Sequence, residues 1–246
     1  MEISATKYLV SATWDDVPHL DDEQKARMLR ETQPHLRDAR SRGIPSLGVG
    51  AIYPIEISEI VCDPFKIPDY WPRAYAMDVG WKRTAALWGA QDPDTGIVYM
   101  YAEYYRGQAE PSVHAAAIRE RGEWIPGVID PAARGRAQKD GAVLIDDYRD
   151  LGLETTPAIN AVSAGIDRVY EWLSTGQLKI FSTLQNTLTE YRMYERDENG
   201  KIVKVNDHLM DCLRYWAMSG IAVARCVPYE DREEVTYRNR SAVGGY

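Results

Sequence analysis

The sequence predicts an α/β fold: a mixed sheet made of an antiparallel meander followed by parallel strands, with helices on both faces. Three observations carry that prediction. Apolar and aromatic runs at 73–79, 84–91 and 97–106 follow one another closely, and Asp92-Pro93-Asp94-Thr95-Gly96 joins the last two. That turn has Pro where φ must be preset and Gly where a positive φ is wanted. Beyond residue 106, helix-like and strand-like segments alternate, which is how crossovers are built onto a sheet.

Taken in order, residues 7–13 read as a strand with no visible partner. Asp21-Asp22-Glu23 forms the acidic first turn of a helix through Lys25, Met28 and Leu29, which Gln33-Pro34 ends. His35 to Arg42 reads as a short basic helix. Prolines at 45, 54, 64, 68 and 72 argue for extended chain laid over a surface. Residues 1–72 are therefore expected to be an appendage or linker, 73–228 the folded domain, and 229–246 a loose tail.

After the meander, Pro111 to Arg121 has helical periodicity with Pro at its start. Gly127-Val128-Ile129-Asp130-Pro131 is a short buried strand ending on a carboxylate, followed by a Gly/Ala/Arg loop at 132–141. A helix at 143–151, a strand from Leu153 to Ala158, a helix from Ser163 to Ser174 and a strand from Leu178 to Phe181 follow. Leu184 to Arg196 is an amphipathic helix, and Asn199-Gly200 carries the signal of a tight hairpin. Asn206-Asp207 reads as the N-cap of a long apolar helix reaching about Arg225.

At 246 residues, 45% hydrophobic and 27% charged, the chain has enough apolar material for one or two globular domains. A net charge of −8 offers no general attraction to nucleic acid or anionic membrane, although a basic groove can sit on an acidic protein. Three scattered cysteines make neither a disulfide framework nor a CxxC zinc site, so a reducing compartment is expected. Neither a signal peptide nor a run of about 18–20 apolar residues is found, and a soluble intracellular protein is expected. Sixteen Tyr and seven Trp against two Phe favour half-buried strands and partner surfaces, but name no function.

The chemistry gathers on three carboxylates. Asp78 sits late in an apolar strand, where a free carboxylate is costly. It either caps the turn at Gly80 or holds a metal. Asp130 ends the fourth strand, as a ligand or as an Asx-turn residue before Pro131. Asp211 lies in the first turns of the last helix. If strands one and four are parallel neighbours, Asp78 and Asp130 stand side by side, and a helix across that edge supplies the third.

Oxygen-only ligands suit Mg²⁺ or Mn²⁺, and two such ions about 4 Å apart would activate a water in phosphodiester cleavage. Asp207 lies one helical turn from Asp211 and reads as N-cap or auxiliary ligand. His208 lies beside it, and four histidines without an HxxxH pattern argue against zinc. Asp146-Asp147 reads as a solvated helix face. Lys82, Arg83, Arg134, Arg136, Lys139, Lys201 and Lys204 flank the three aspartates in sequence; a ring of such cations suffices for phosphate-backbone contacts, while solubility is the alternative.

The segments "AMDVGWKRTAAL", "GVIDPAARGR" and "NDHLMDCLRYWA" resemble the nuclease domain of the large terminase subunit of tailed bacteriophages. The stretch "SATWDDVPHLDDEQKARMLRETQPHLRDARSRGIPSLGVGAIYPI" is similar to the segment following the ATPase core in one branch of that family. The resemblance implies an RNase H-like fold and a two-metal endonuclease that cuts concatemeric double-stranded DNA during genome packaging. It further implies Asp78, Asp130 and Asp211 as catalytic metal ligands with Mg²⁺ or Mn²⁺, His208 beside them as a catalytic residue, and Asp207 as an auxiliary acidic ligand.

The hairpin near 197–205 would border the DNA groove. Expected partners are duplex DNA, the small terminase subunit and the portal protein, in the host cell cytoplasm, with the isolated domain monomeric and no membrane. The P-loop G-x-x-x-x-G-K-[ST] is absent, so ATPase activity is not expected in this chain, which reads as the C-terminal part of a longer motor.

Two other readings remain. An Asp-x-Gly strand end also opens actin-like and sugar-kinase phosphotransferases, which would need a second phosphate loop. A non-catalytic docking module of the packaging machinery would leave the three aspartates incidental.

Overall fold

The computed structural model describes residues 50–134, 144–197 and 199–228, with the shorter stretches 2–4, 7–8, 13–17, 20–31 and position 41. In the N-terminal stretches, β1 (Glu2–Ser4) pairs antiparallel with β2 (Lys7–Tyr8), so the strand expected at 7–13 begins on a partner. The acidic-headed helix forms as α1 (Asp22–Glu31). Apart from Ser41, the basic helix expected at 35–42 lies outside the described residues, as does the tail from 229.

The remaining elements form one seven-stranded sheet with helices on both sides. Its strands are β3 (Val61–Cys62), β4 (Arg73–Asp78), β5 (Thr84–Gln91), β6 (Val98–Arg106), β7 (Gly127–Ile129), β8 (Thr155–Pro157) and β9 (Leu178–Phe181), in the order β3-β9-β6-β5-β4-β7-β8. The meander β4-β5-β6 is antiparallel, and β7, β8, β9 and β3 add in parallel pairs on its two sides. Strand β5 is buried along its whole length except Gln91, because both of its faces are covered.

Alternation along β4 sorts the core into two layers. Ala74 and Ala76 face a large cluster with Leu209, Leu213 and Trp216, whereas Tyr75 and Met77 face a smaller one with Ala115, Ile118, Ile145 and Tyr148. The first layer is roofed by α5 (Val162–Ser174), α6 (Gln185–Met193) and α7 (His208–Tyr215). The second is roofed by α3 (Pro111–Arg119) and α4 (Leu144–Asp150). Among the described residues, no helix is long and apolar enough to cross a membrane.

Residues 50–72 correct the expected appendage. The short helix α2 (Ile57–Ile60) leads into β3 at the sheet edge, and Ile52, Tyr53, Ile55, Ile60, Ile67 and Trp71 are core residues. The Tyr191 hydroxyl donates to the Ile55 carbonyl at 3.0 Å, and Val227 N–H to the Asp69 carbonyl at 3.1 Å, so both ends of this stretch are tied down. A proline-punctuated segment has no periodicity to betray burial, yet its scattered Ile, Tyr and Trp side chains reach the core.

The last helix is also not a plain α-helix. After Tyr215 it widens into a π-helical turn at Trp216–Gly220 before a final turn at Ile221–Val223. The Trp216 indole lies on bare backbone: a Cβ on Gly89 would stand 2.5 Å from its ring, and one on Gly220 2.7 Å. The indole N–H donates to the Ala74 carbonyl at 3.1 Å. The β5–β6 register shifts between Trp88 and Gly89, at the place where the indole presses on the sheet. Likewise the hairpin turn is longer than Asn-Gly implies. Asp197 accepts from the backbone of Asn199 and Lys201, while Gly200 takes the left-handed conformation at φ 75°.

Gly89→Ala should therefore cost about 2 kcal/mol or more, because overpacking drives the indole off the sheet. Thermal or urea unfolding of the variant measures it; a variant as stable as wild type would mean that Trp216 has room to move.

Candidate active site

Two sheet strands bring two carboxylates together. Asp78 is the last residue of β4, and Asp130 directly follows β7, the parallel neighbour of β4. Asp130 N–H donates to the Met77 carbonyl at 3.0 Å, which continues the ladder by one step and brings the two carboxylate-bearing residues to the same edge. The Asp130 Oδ1 accepts from Ala132 N–H at 3.0 Å, so the Asx-turn geometry is present as well. The turn at Gly80 is held by Thr84 Oγ1, 3.2 Å from the Gly80 carbonyl, and not by Asp78.

Helix α7 crosses this edge and brings Asp211. Tyr215, four residues on, reports the convergence. Burial raises its phenol well above the ordinary range, and the charges of Asp130, Asp211 and Asp78 push it further. Asp78 itself is raised, first by burial and then by Asp211 and Asp130, against the lowering effect of His208.

Asp78, Asp207 and Asp211 each have a basic partner. His208 Nδ1 lies 2.8 Å from Asp78 Oδ2, and that hydrogen bond raises the imidazole above its usual value. Arg214, 1% exposed, donates from Nη2 to Asp211 Oδ1 at 2.8 Å and from Nη1 to Asn160 Oδ1 at 2.6 Å. Gly165 makes room for the stem, since a Cβ there would stand 2.3 Å from Arg214 Cγ. Lys204 Nζ pairs with Asp207 Oδ2 at 2.9 Å and reaches Asp211 Oδ2 at 3.5 Å.

Asp207 occupies the N-cap position, but its side chain makes no cap hydrogen bond, contrary to the capping role read from the sequence. Glu190 of α6 caps instead: its Oε2 accepts from Leu209 N–H at 2.5 Å and its Oε1 from Tyr105 Oη at 2.6 Å. Glu190 is 2% exposed, and burial lifts its carboxyl to about 7 despite those donors. Glu103 of β6 does the same for α6, accepting from Asn186 N–H at 3.0 Å and Thr187 N–H at 2.8 Å. Glu190, Arg214, Asn160 and Glu103 were not singled out in the sequence. A Glu in an amphipathic helix reads as surface, and an Arg at i+3 from an Asp reads as an exposed helix pair.

The predicted phosphate contacts scatter. Lys82 and Lys201 are exposed, while Arg83 stacks its guanidinium 4.3 Å over the Tyr105 ring. Lys204 is engaged with the acidic site. The backbone of Arg134 lies in the turn Pro131–Arg134 after Asp130; Arg136 and Lys139 lie outside the described residues. Asp146 pairs with Arg149 on an exposed helix face.

Among the described residues, no three His, Cys, Asp or Glu side chains stand close enough to hold a metal as they are. The donor chemistry nonetheless fits a hard divalent cation: carboxylate oxygens from two strand ends and one helix, with Cys212 buried and hydrogen-bonded to the Ala85 carbonyl.

Fold and site together define an RNase H-like domain with an acidic centre at the edge where β4 and β7 end. The chain belongs to the terminase family: the Terminase RNaseH-like domain matches residues 76–219. The large terminase subunit of Enterobacteria phage LP7 is 33% identical over 226 residues, covering 87% of this chain and 47% of that protein. The chain thus spans about half the length of this curated relative. The solved nuclease domain of the P22 large terminase matches with a TM-score of 0.67 and 29% identity, over 74% of this chain and 97% of that one. The large terminase nuclease of thermophilic phage G20c, solved with bound magnesium, shares the fold at a TM-score of 0.52 and 14% identity, over 70% of this chain and 98% of that one. Family membership displaces the phosphotransferase reading.

The Glu190 carboxyl gives a pH dependence. Its folded value of about 7 exceeds the ordinary 4.5, so the folded state holds a proton the unfolded state has released. Its contribution to stability is full below about pH 4.5 and is lost as pH rises through 7. Glu190→Gln should remove that component, roughly 2–3 kcal/mol across the window. Unfolding free energies at pH 5 and pH 8 test it, and an unchanged slope would contradict the buried, protonated carboxyl.

Proposed function

We propose that this domain is a Mg²⁺- or Mn²⁺-dependent endonuclease that hydrolyses phosphodiester bonds of double-stranded DNA. The observation that carries the proposal is geometric: β4 and β7 pair in parallel so that Asp78 and Asp130 end at one sheet edge, and α7, which carries Asp211, reaches Asp78 through His208 at 2.8 Å. Carboxylates brought to one edge in this way repel one another, and a bound cation would relieve that repulsion.

Asp78, Asp130 and Asp211 would hold the metals, with Asp207 auxiliary. When bound, the ions supply Lewis-acid activation of water and stabilise the leaving oxygen. This chain's residues do the rest. Arg214 fixes the Asp211 carboxylate against Asn160 from within the core. His208 orients Asp78 through Nδ1 and, with its raised value, carries a proton at neutral pH more readily than a free imidazole. The exposed Lys82 and Lys201 offer phosphate contacts, and Lys204 joins them when it leaves Asp207 and Asp211. Nothing in the sequence resembles a base-reading helix, so cutting would be nearly sequence-independent.

In the longer terminase the substrate would be concatemeric viral DNA in the host cytoplasm, met together with the small subunit and the portal. Those partners are what the family resemblance implies and would belong to the whole motor.

Supercoiled plasmid incubated with Mn²⁺ should be nicked and linearised by the wild type. EDTA should abolish the reaction, and Asp78→Ala, Asp130→Ala or Asp211→Ala should each slow it about 100-fold or more. Cleavage by Asp130→Ala at the wild-type rate would remove the site assignment. Folded wild type that never cuts would favour the docking module.

A further inference from the structure

We infer that Trp81 is a stacking platform for an unpaired nucleobase beside the scissile phosphate. The inference rests on the nuclease reading and deepens it by naming the form of DNA the site prefers.

Trp81 is 65% exposed, on the turn that leaves the catalytic edge after Asp78. Exposure alone would mean little, since single apolar residues are common on surfaces. Here the turn is rigid. Gln108 N–H donates to the Trp81 carbonyl at 2.9 Å, with Gln108 itself in the left-handed region at φ 54°. Gly107 lies so close that a Cβ there would stand 2.0 Å from the Lys82 carbonyl oxygen. Thr84 Oγ1 holds Gly80 from the other side, 3.2 Å from its carbonyl oxygen. A backbone clasped at three points displays the indole with little conformational entropy left to lose on binding.

The indole also borders a cavity. A pocket of about 220 Å³ adjoins it, with Trp81 in its wall beside Val79, Thr84, Pro111, Leu144 and Tyr148. His114, also in its wall, spends its Nδ1 on Tyr104 Oη at 2.7 Å and is kept neutral by burial, so the pocket carries no charge of its own. It lies on the second-layer side of β4, across the strand end from α7, because Val79 packs with the Tyr75 and Met77 cluster.

Three facts select the occupant. The wall is apolar and uncharged, which suits a flat ring. Lys82 is exposed next to it, which suits the phosphate attached to that ring. The position is three residues from Asp78, at most about 11 Å of extended chain. That reach equals roughly three nucleotide steps of about 3.4 Å. A base leaving the stack within that reach of the cut would meet Trp81, whereas the bases of an intact duplex are shielded by their own stacking. Aromatic stacking tolerates any base, which agrees with a nuclease lacking sequence preference.

The test is binding without cleavage, in EDTA, by fluorescence anisotropy. Two labelled duplexes of one sequence are compared, one intact and one with a short unpaired gap carrying 2-aminopurine. Wild type should bind the gapped duplex about 10-fold more tightly and quench the 2-aminopurine. Trp81→Ala should lose most of that preference and the quenching, while binding intact duplex as wild type does and keeping its melting temperature; Trp81→Phe should retain both. Wild type binding both duplexes equally, or Trp81→Ala weakening both alike, overturns the inference and leaves the nuclease reading standing. Wild type binding neither overturns the inference, while the nuclease reading stands or falls on cleavage with Mn²⁺. Trp81→Ala with unaltered preference and quenching overturns the inference and turns Trp81 toward a protein partner.

Discussion

Like charges gathered at one sheet edge are the constraint on which this structure depends. Parallel pairing of β4 with β7 brings Asp78 and Asp130 together, and α7 adds Asp211 from above. Left alone, such a group would swell the site or protonate. It is balanced from three directions: His208 on Asp78, Lys204 and the buried Arg214 on Asp211. A buried ion pair contributes little net stability but is costly to break. Arg214 is therefore better understood as fixing where Asp211 stands than as holding the fold together.

The position of α7 is inherited through a series of contacts that begins at the sheet. Glu103 on β6 caps α6; Glu190 on α6 caps α7; Trp216, beyond the end of α7, is pinned between Gly89 and the Ala74 carbonyl. Each helix is oriented by a carboxyl group from the element before it, whose oxygens accept the otherwise unpaired N–H groups of the helix start. The π-helical turn at Trp216–Gly220 lets α7 keep its N-terminal end over the strand tips while its other end follows the indole into the sheet. Helix geometry has yielded here to a packing demand, as local strain often does near functional sites.

Much of this was legible in the sequence, for reasons that can be named. The β4-β5-β6 meander announced itself by long apolar runs and a Pro-Gly turn, and Asp78 stood out because a carboxylate late in such a run is improbable without a partner. Asp130 at the end of a short apolar strand and Asp211 on the last helix were the partners it needed, and the family resemblance implied the same three. Residues 50–72 were misjudged because two-residue β3 is too short for any period to show, and prolines imitate a linker. Glu190 was invisible for the opposite reason: its helix has a clear polar face, and only the tertiary fold buries it against Tyr105 and the start of α7. Lys204 was read as a free cation for phosphate, whereas the fold turns it onto Asp207 and Asp211.

The central claim is that Asp78, Asp130 and Asp211 share bound metal. Crystals of this domain grown with Mn²⁺ and measured at a wavelength where manganese scatters anomalously test it directly. The account predicts anomalous peaks between these three carboxylates, with Lys204 displaced from Asp211. Ordered carboxylates with no manganese between them, or manganese bound only elsewhere, would contradict it.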